Sequence, residues 1–469
     1  MRGLLTFISL TLAFGAFGDE PVGAAMKLYE KRRYEQAARL LEGAKEDGAQ
    51  AQLVLGMIYL RNADLHEAFA RAAAAAELDY LDKLVRVGGE GRSRYARLYL
   101  AEALVASGSA REAARHFERV RADSGVDSLH RAIAGIGLGA AVKSDALEAR
   151  LAAAAAKGRA RAVEAKNLKK AADAASVEKN LPPRARRYLI EIYLAAGEPG
   201  QALAVARATD LRAASYVEQF KADKGTAKSI AFYDLALLGD LARLYRELAR
   251  RRLEQAAADP RIKPTAEHYL AEALASLGEL DQAAAMARSF VARSEAPAAY
   301  RERSRAQLGL ISYLQGEKEQ AESAWRTMAE RSSDAEVLAA VVMGCAAVTA
   351  QCTKAVARAA QVAEAGSLQR NQRLNFALGD YWLRRHDPSR AIAFMEAGRD
   401  KSNKNKIEAN DPQMLTGLAE AYYRTKKFSE GLEIFFEMSQ EYPVVRQIQE
   451  AVQGVYSMEQ RSAGDVRIL

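Results

Sequence analysis

The sequence predicts an all-α fold, a right-handed α-solenoid of stacked antiparallel helix pairs. Three observations carry that expectation. A Leu-Gly landmark recurs with an aromatic residue three or four positions on and Ala twelve after the Gly: Leu55-Gly56, Tyr59 and Ala68; Leu308-Gly309, Tyr313 and Ala321; Leu378-Gly379, Trp382 and Ala391. That spacing builds a helix, a tight turn and a second helix packed back on the first, and a period near 34 residues marks stacked repeat units. Prolines fall at the expected junctions, as at Pro182-Pro183, Pro264, Pro388, Pro412 and Pro443, where a helix can start but not continue. No segment shows the apolar-polar alternation of a half-buried strand. A chain of 469 residues is too long for one ordinary core, a limit that a repeat array escapes by growing along one axis.

In chain order, residues 1–18 read as a secretory signal peptide. Arg2 precedes an uncharged, largely apolar run, and Ala16-Phe17-Gly18 offers small residues for cleavage near Gly18. An exported, periplasmic chain with no transmembrane segment after cleavage is therefore expected. Residues 19–126 hold the first repeats, marked by Tyr34, Ala37 and Leu41, then by Leu55-Gly56, then by Leu100, Ala101, Gly108, Ala113 and Phe117. Residues 127–181 stay helical but lose these landmarks in basic, Ala- and Lys-rich runs. Residues 182–334 form a central array with Leu189, Gly197 and Ala202, then Leu270, Gly278 and Ala283, then Leu308-Gly309, Gly316, Ala321 and Trp325. Within it, 210–258 is expected to be a longer, divergent helix pair. Residues 335–363 read as an Ala/Val hairpin carrying both cysteines. Residues 364–456 hold the last repeats, with Gly431 where Ala is usual, Lys401–Asp411 reads as a long polar loop, and 457–469 as a flexible tail.

These units resemble tetratricopeptide repeats, helical hairpins that present a peptide or partner protein in a concave groove. The resemblance implies that outward positions of each first helix make the contacts. Transferred by register, those positions hold Arg187, Glu191, His268, Glu272, Arg303 and Tyr313. In the C-terminal units they hold Arg373, Phe376, Asp380, Arg384, Gln413, Glu420, Tyr423 and Arg424. Mixed charge with a few aromatics suits a protein segment, where Tyr and Arg tend to carry binding energy. No Lys/Asn pairing of the carboxylate-clamp kind repeats across adjacent units.

The formal net charge is +8, and its excess is concentrated. From Lys143 to Arg187, twelve Lys and Arg stand against five Asp and Glu. This stretch includes Lys157, Arg159, Arg161, Lys166, Lys169, Lys170, Arg184, Arg186 and Arg187. It reads either as a solvated helix face or as a contact for an anionic surface such as a polysaccharide. Nucleic acid fits the charge but not the leader, nor are stacking aromatics interleaved. The five histidines, His66, His116, His130, His268 and His386, show no metal-ligand spacing, and no nucleophile elbow or phosphate loop appears. The chain is expected to be a non-enzymatic scaffold in the cell envelope, without metal or cofactor, binding a protein or peptide. Contact with an anionic glycan is the second reading. Cys345 and Cys352 are either a disulfide across a hairpin or two small buried residues.

Overall fold

The computed structural model describes residues 20–44, 48–87, 89–139, 146–160, 165–176, 181, 183–208, 216–221, 227–294, 296, 298–348, 352–365, 371–400, 410–439 and 441–465. Residues 1–18, where a leader is expected, and most of the loop expected at 401–411 fall outside them. The helices are α1 (Glu20–Glu30), α2 (Tyr34–Gly43), α3 (Ala49–Val87), α4 (Gly89–Ala106), α5 (Ala110–Ala122), α6 (Ser128–Leu138), α7 (Leu147–Ala160), α8 (Ala165–Ser176), α9 (Pro183–Ala195), α10 (Pro199–Ala208) and α11 (Leu235–Ala256). They continue as α12 (Lys263–Leu277), α13 (Leu280–Ala292), α14 (Ala298–Leu314), α15 (Lys318–Arg331), α16 (Ala335–Ala347), α17 (Thr353–Glu364), α18 (Gln372–Arg384), α19 (Pro388–Gly398), α20 (Pro412–Arg424), α21 (Phe428–Ser439) and α22 (Pro443–Asp465).

Among the described residues, seven hairpins close with the same turn. One or two residues past the first helix the backbone is left-handed, and the next N–H donates to the carbonyl five residues back, which satisfies a carbonyl left over at the helix end. Glycine occupies the left-handed position at Gly108, Gly197, Gly278 and Gly316. Arg32, His386 and Lys426 occupy it with φ near 60°. The closing bonds are alike at 2.8–3.0 Å, for instance Glu279 to Leu274, Asp387 to Trp382 and Lys427 to Tyr422. The small landmark residues let the paired helices touch. A Cβ on Gly309 would run into the indole of Trp325, which is fully buried and donates from Nε1 to the Ala306 carbonyl at 2.9 Å.

Two corrections to the expected pattern stand out. The 210–258 stretch is not a helix pair: β1 (Tyr216–Lys221) and β2 (Ala227–Phe232) form an antiparallel hairpin before α11, with Tyr216 opposite Phe232. Two six-residue strands are too short to impose a period on a sequence window. Phe232 is buried between Tyr99 and Tyr80, at ring separations of 5.4 and 6.2 Å, so tertiary packing supports what the local pattern does not announce. At the other end, α22 runs through Asp465 where a loose tail was expected from 457. Buried Val445, Ile448, Val452 and Val455 anchor its first turns at helical spacing.

The described chain forms two compact units. One contains the residues up to Leu65 and Tyr245–Ala421; the other contains His66–Leu244 and the residues from Tyr422 onward. In the first, α3 packs on α11 through Tyr59 and Tyr245, whose rings lie 5.9 Å apart, and Arg252 donates to Gln52 at 2.9 Å. Its main core surrounds Trp325, Leu338, Val342, Leu374 and Leu378. Cys345 and Cys352 sit at facing ends of α16 and α17 with Cα atoms 6.1 Å apart, and their sulfurs are joined. In the second unit, Phe69 meets Tyr442 at 6.0 Å and Lys426 pairs with Asp79 at 2.8 Å. Neither unit is a run of nearest neighbours alone.

Candidate functional site

In the first unit, four of the residues expected to line a groove converge: His268 and Glu272 from α12, Arg303 from α14 and Arg373 from α18. Arg61 from α3 and Glu336 from the first turn of α16 complete the cluster. Arg61 donates to Glu272 at 3.4 Å and to Asp64 at 2.7 Å. Arg303 reaches Glu336 at 3.1 Å, and Arg373 reaches the same oxygen at 3.4 Å. The Arg303 guanidinium lies over the Tyr300 ring at 5.3 Å. Beside Arg373, Gln372 accepts from Arg32 at 3.2 Å. First helices of successive hairpins present corresponding positions to one side, which is why residues spaced by whole repeats meet here.

The electrostatics follow from burial and proximity. Burial opposes the Arg61 charge, yet Glu272, Tyr29 and Asp64 hold its pKa well above the ordinary value. Glu272 is likewise held below the usual carboxylate range against the cost of burial, by Arg61, His268 and Arg373. Burial drives His268 down to about 4, with Glu272 opposing and Arg303, Arg61 and Arg373 assisting, so the ring is neutral at pH 7. His268 Nδ1 lies 2.7 Å from Ser304 Oγ, a spacing a nucleophile and base would also show. Ser304 is 0% exposed, so the pair has no access to a substrate and acts as a strut between α12 and α14.

The other expected contact residues lie elsewhere. Tyr313 stacks on Trp325 at 6.2 Å, with the Lys318 ammonium over the Tyr313 ring at 5.6 Å, on its own hairpin. Phe376 is buried beside Gly417, and Tyr423 is buried against Phe428, Phe435 and Gly431. Both are core residues, a correction to their assignment as contacts: a large ring on a tightly packed first helix gains more by filling the hairpin than by facing water. Asp380 is buried and takes Arg384 at 2.8 Å, Glu420 is buried, Gln413 caps onto Asp411 through its backbone N–H at 2.9 Å, and Arg424 is half-buried.

Arg187 and Glu191 require the strongest correction. They belong to the second unit, where both are buried in a charge network. Arg187, 2% exposed, donates to Asp234 at 2.9 Å and to Asp240 at 3.4 Å, with Glu102 at 3.7 Å. Arg159 binds Glu191 through Nε at 2.8 Å and through a second, shorter contact, and also binds Asp240. Arg187 is therefore a structural cation, not an anionic-surface contact, whereas Arg159, with its side chain 30% exposed, pairs with these carboxylates from the edge of the network. Burial raises Asp240 well above its ordinary value, aided by Glu191, whereas Arg159 overcomes burial to hold Glu191 at about 2. Glu77, buried against Glu102 and accepting from the Tyr233 N–H at 3.4 Å, is pushed up to about 8. Of the remaining basic residues, Lys157 and Lys170 are exposed, Lys169 pairs with Glu198 at 3.1 Å and Arg186 donates to the Ala208 carbonyl at 2.6 Å. Arg184 is half-buried, and Arg161 and the Lys166 side chain lie outside the described residues.

A separate cleft of about 900 Å³ runs along α14 and α15, floored by Leu308, Ala321 and Met328. None of the expected contact residues lines it. Among the described residues, no helix is long and apolar enough to cross a membrane, and no group of three or more His, Cys, Asp or Glu is placed to hold a metal.

These hairpins define the class: a predominantly helical repeat protein built of antiparallel helix pairs, with one strand pair before α11. No protein-family description matches the chain. No curated protein matches it either. Among solved structures it is similar to yeast Tom70, at 11% identity over 95% of each chain with a TM-score of 0.34. It is also similar to the APC/C hetero-tetramer Cut9-Hcn1, at 12% identity over 92% of this chain and 95% of that one, with a TM-score of 0.29. The P58(IPK) TPR domain is similar at 14% identity over 87% and 98%, with a TM-score of 0.19. At such scores the architecture rests on the hairpins themselves.

Proposed function

We propose that this chain is a non-enzymatic, exported scaffold that holds a partner protein or peptide on the Arg- and Tyr-bearing face of its first unit, within an envelope assembly or secretion system. The observation that carries this reading is the convergence of Arg61, Glu272, Arg303, Glu336 and Arg373 from five helices onto one partly exposed cluster. Mixed charge over aromatic rings is the composition of a protein-recognition surface, where Arg and Tyr act as anchors. The envelope location rests on the leader-like residues 1–18. The glycan reading draws less support, since Arg159 and Arg187 are occupied by buried carboxylates.

Crosslinking in cells, followed by pull-down of the full chain and mass spectrometry, tests this. Recovery of the same few envelope proteins in fixed ratio is the expected result. Recovery of an acidic glycan without protein would overturn it, and N-terminal sequencing that finds no cleavage near Gly18 would remove the export claim.

A further inference from the structure

We propose that the cleft along α14 and α15 is a self-association site that receives α21 of a second copy of this chain, with Phe436 as its anchor. This contact goes beyond the partner-binding reading and involves none of Arg61, Arg303 or Arg373. The cleft lies in the first unit and holds about 900 Å³, with Leu308, Met328 and Val337 in its apolar lining. Ala321 and Ala324 are the small α15 residues of that lining, so another helix can approach closely. The rim is basic. Arg288 of α13 and Arg331 of α15 are exposed, and neither pairs with an acid among the described residues. Arg305 is answered by Glu302 of its own helix, and Glu317 is the other acid of the lining. Three arginines against two glutamates leave the cleft positive.

The matching surface is α21. Its Phe436 is 62% exposed, a large apolar ring left in water. Glu430, Glu433 and Glu437 run along the flank beside that ring, because positions three, four and seven apart share one side of a helix. Glu430 and Glu433 are exposed and pair with no cation among the described residues. One exposed ring alone is ordinary at a surface. A ring with acids alongside is the complement of an apolar cleft with arginines at its rim. The lengths agree as well: the twelve residues of α21 span about 18 Å, and Gln320 to Arg331 on α15 about 17 Å. Docked there, Phe436 leaves water for the Leu308 and Met328 side chains, and the flexible thioether of Met328 adapts to the ring. Glu430 and Glu433 then answer Arg288 and Arg331 with charge-assisted bonds. Cleft and α21 are different surfaces of one chain, so the contact is heterologous, and each added copy leaves one of each open. A single helix in a single groove falls below the roughly 1,200–2,000 Å² of a standard interface, so the association should be weak, with a Kd of about 10–100 μM.

Sedimentation velocity of the full chain, over a concentration series spanning that Kd, tests the contact. The weight-average mass of the wild type should climb past that of a dimer. Phe436→Ser, and separately Arg288→Glu/Arg331→Glu, should each stay monomeric; all three side chains are exposed, and circular dichroism checks that the fold persists. Mixed in equal amounts, the two variants should form a dimer and stop there, since one brings an intact cleft and the other an intact α21. If the double variant does not fold, Ala324→Arg obstructs the cleft from an exposed position and takes its place. As a second readout, Phe436→benzoylphenylalanine in a mixture of light and heavy-nitrogen chains should photocrosslink to α14 or α15 of the other isotope. A wild type that stays monomeric, variants that associate as the wild type does, or a mixture that does not dimerise overturns the inference. So do crosslinks confined to a single copy. None of these outcomes alters the partner reading, which the pull-down from cells tests separately.

Discussion

His386 and Lys426 hold left-handed backbone where four sister turns use glycine. A side chain with a Cβ costs roughly 1–2 kcal/mol in that region. His386 changed to Gly is therefore expected to stabilise the chain by about 1 kcal/mol, read as a rise in the denaturant midpoint at constant slope, whereas the same change at Lys426 also removes its pair with Asp79. The opposite applies at Gly309, whose missing Cβ makes room for the rigid Trp325 indole. Gly309→Ala is expected to cost about 1–3 kcal/mol through overpacking. Gly379→Ala should cost less, because its neighbour Met395 is flexible and can shift. Equal losses at the two positions would show that ring rigidity is not what matters. These turn positions were legible: each lies seven residues after the landmark position of its first helix, as in Gly309 to Gly316 and Gly379 to His386.

At the scale of elements, α4, α9, α11 and the residue before α11 bring four carboxylates, Glu102, Glu191, Asp240 and Asp234, to two guanidiniums, Arg159 of α7 and Arg187 of α9, and α3 adds Glu77 beside Glu102. Buried charge in that ratio is tolerable only when some carboxyls keep their protons. The folded pKa of Glu77 is raised from 4.5 to about 8. Its contribution to stability is thus fully present below pH 4.5 and is lost as pH rises through about 8, at about 1.4 kcal/mol per pK unit. The second unit should melt at progressively lower temperature from pH 6 to 9, and Glu77→Gln should flatten that slope while still accepting from Tyr233. In the first unit His268 runs the other way. Its folded pKa is lowered from 6.5 to about 4, so its contribution is present above pH 6.5 and is lost on acidification towards 4. Hydrogen exchange on peptides from α12 and α9 across pH 4 to 9 separates the two trends, and parallel pH profiles would refute the assignment. None of this network was legible, because Arg187 and Asp240 are 53 residues apart and only packing brings them together.

For the molecule as a whole, long-range ties within each unit change how it should unfold. A linear repeat array frays from its ends, since each repeat contacts only its neighbours. Here Arg32 reaches Gln372 across 340 residues of sequence, and Lys426 reaches Asp79. Native-state hydrogen exchange is expected to show α1 and α2 protected together with α12 and the part of α11 from Tyr245 onward, which belong to the same unit. Graded loss of protection beginning at Glu20 would mean that these ties contribute little. The same ties raise the mean sequence separation of contacts, so folding should be slower than in a linear helical array of this length.

By itself the sequence determined the helical hairpins, their turns and the small residues at which helices meet. Those depend on spacings of three to seven residues, within which a chain's own geometry places side chains. Even the shared side that unites His268, Glu272, Arg303 and Arg373 follows from repeat register. Only the tertiary structure decided that Arg187 is an interior ion, that Phe376 and Tyr423 fill cores, that a strand hairpin interrupts the helices and that the chain folds into two discontinuous units. An arginine reads the same in sequence whether water or a buried carboxylate answers its charge; the partner is supplied by segments whose distance along the chain leaves no local trace.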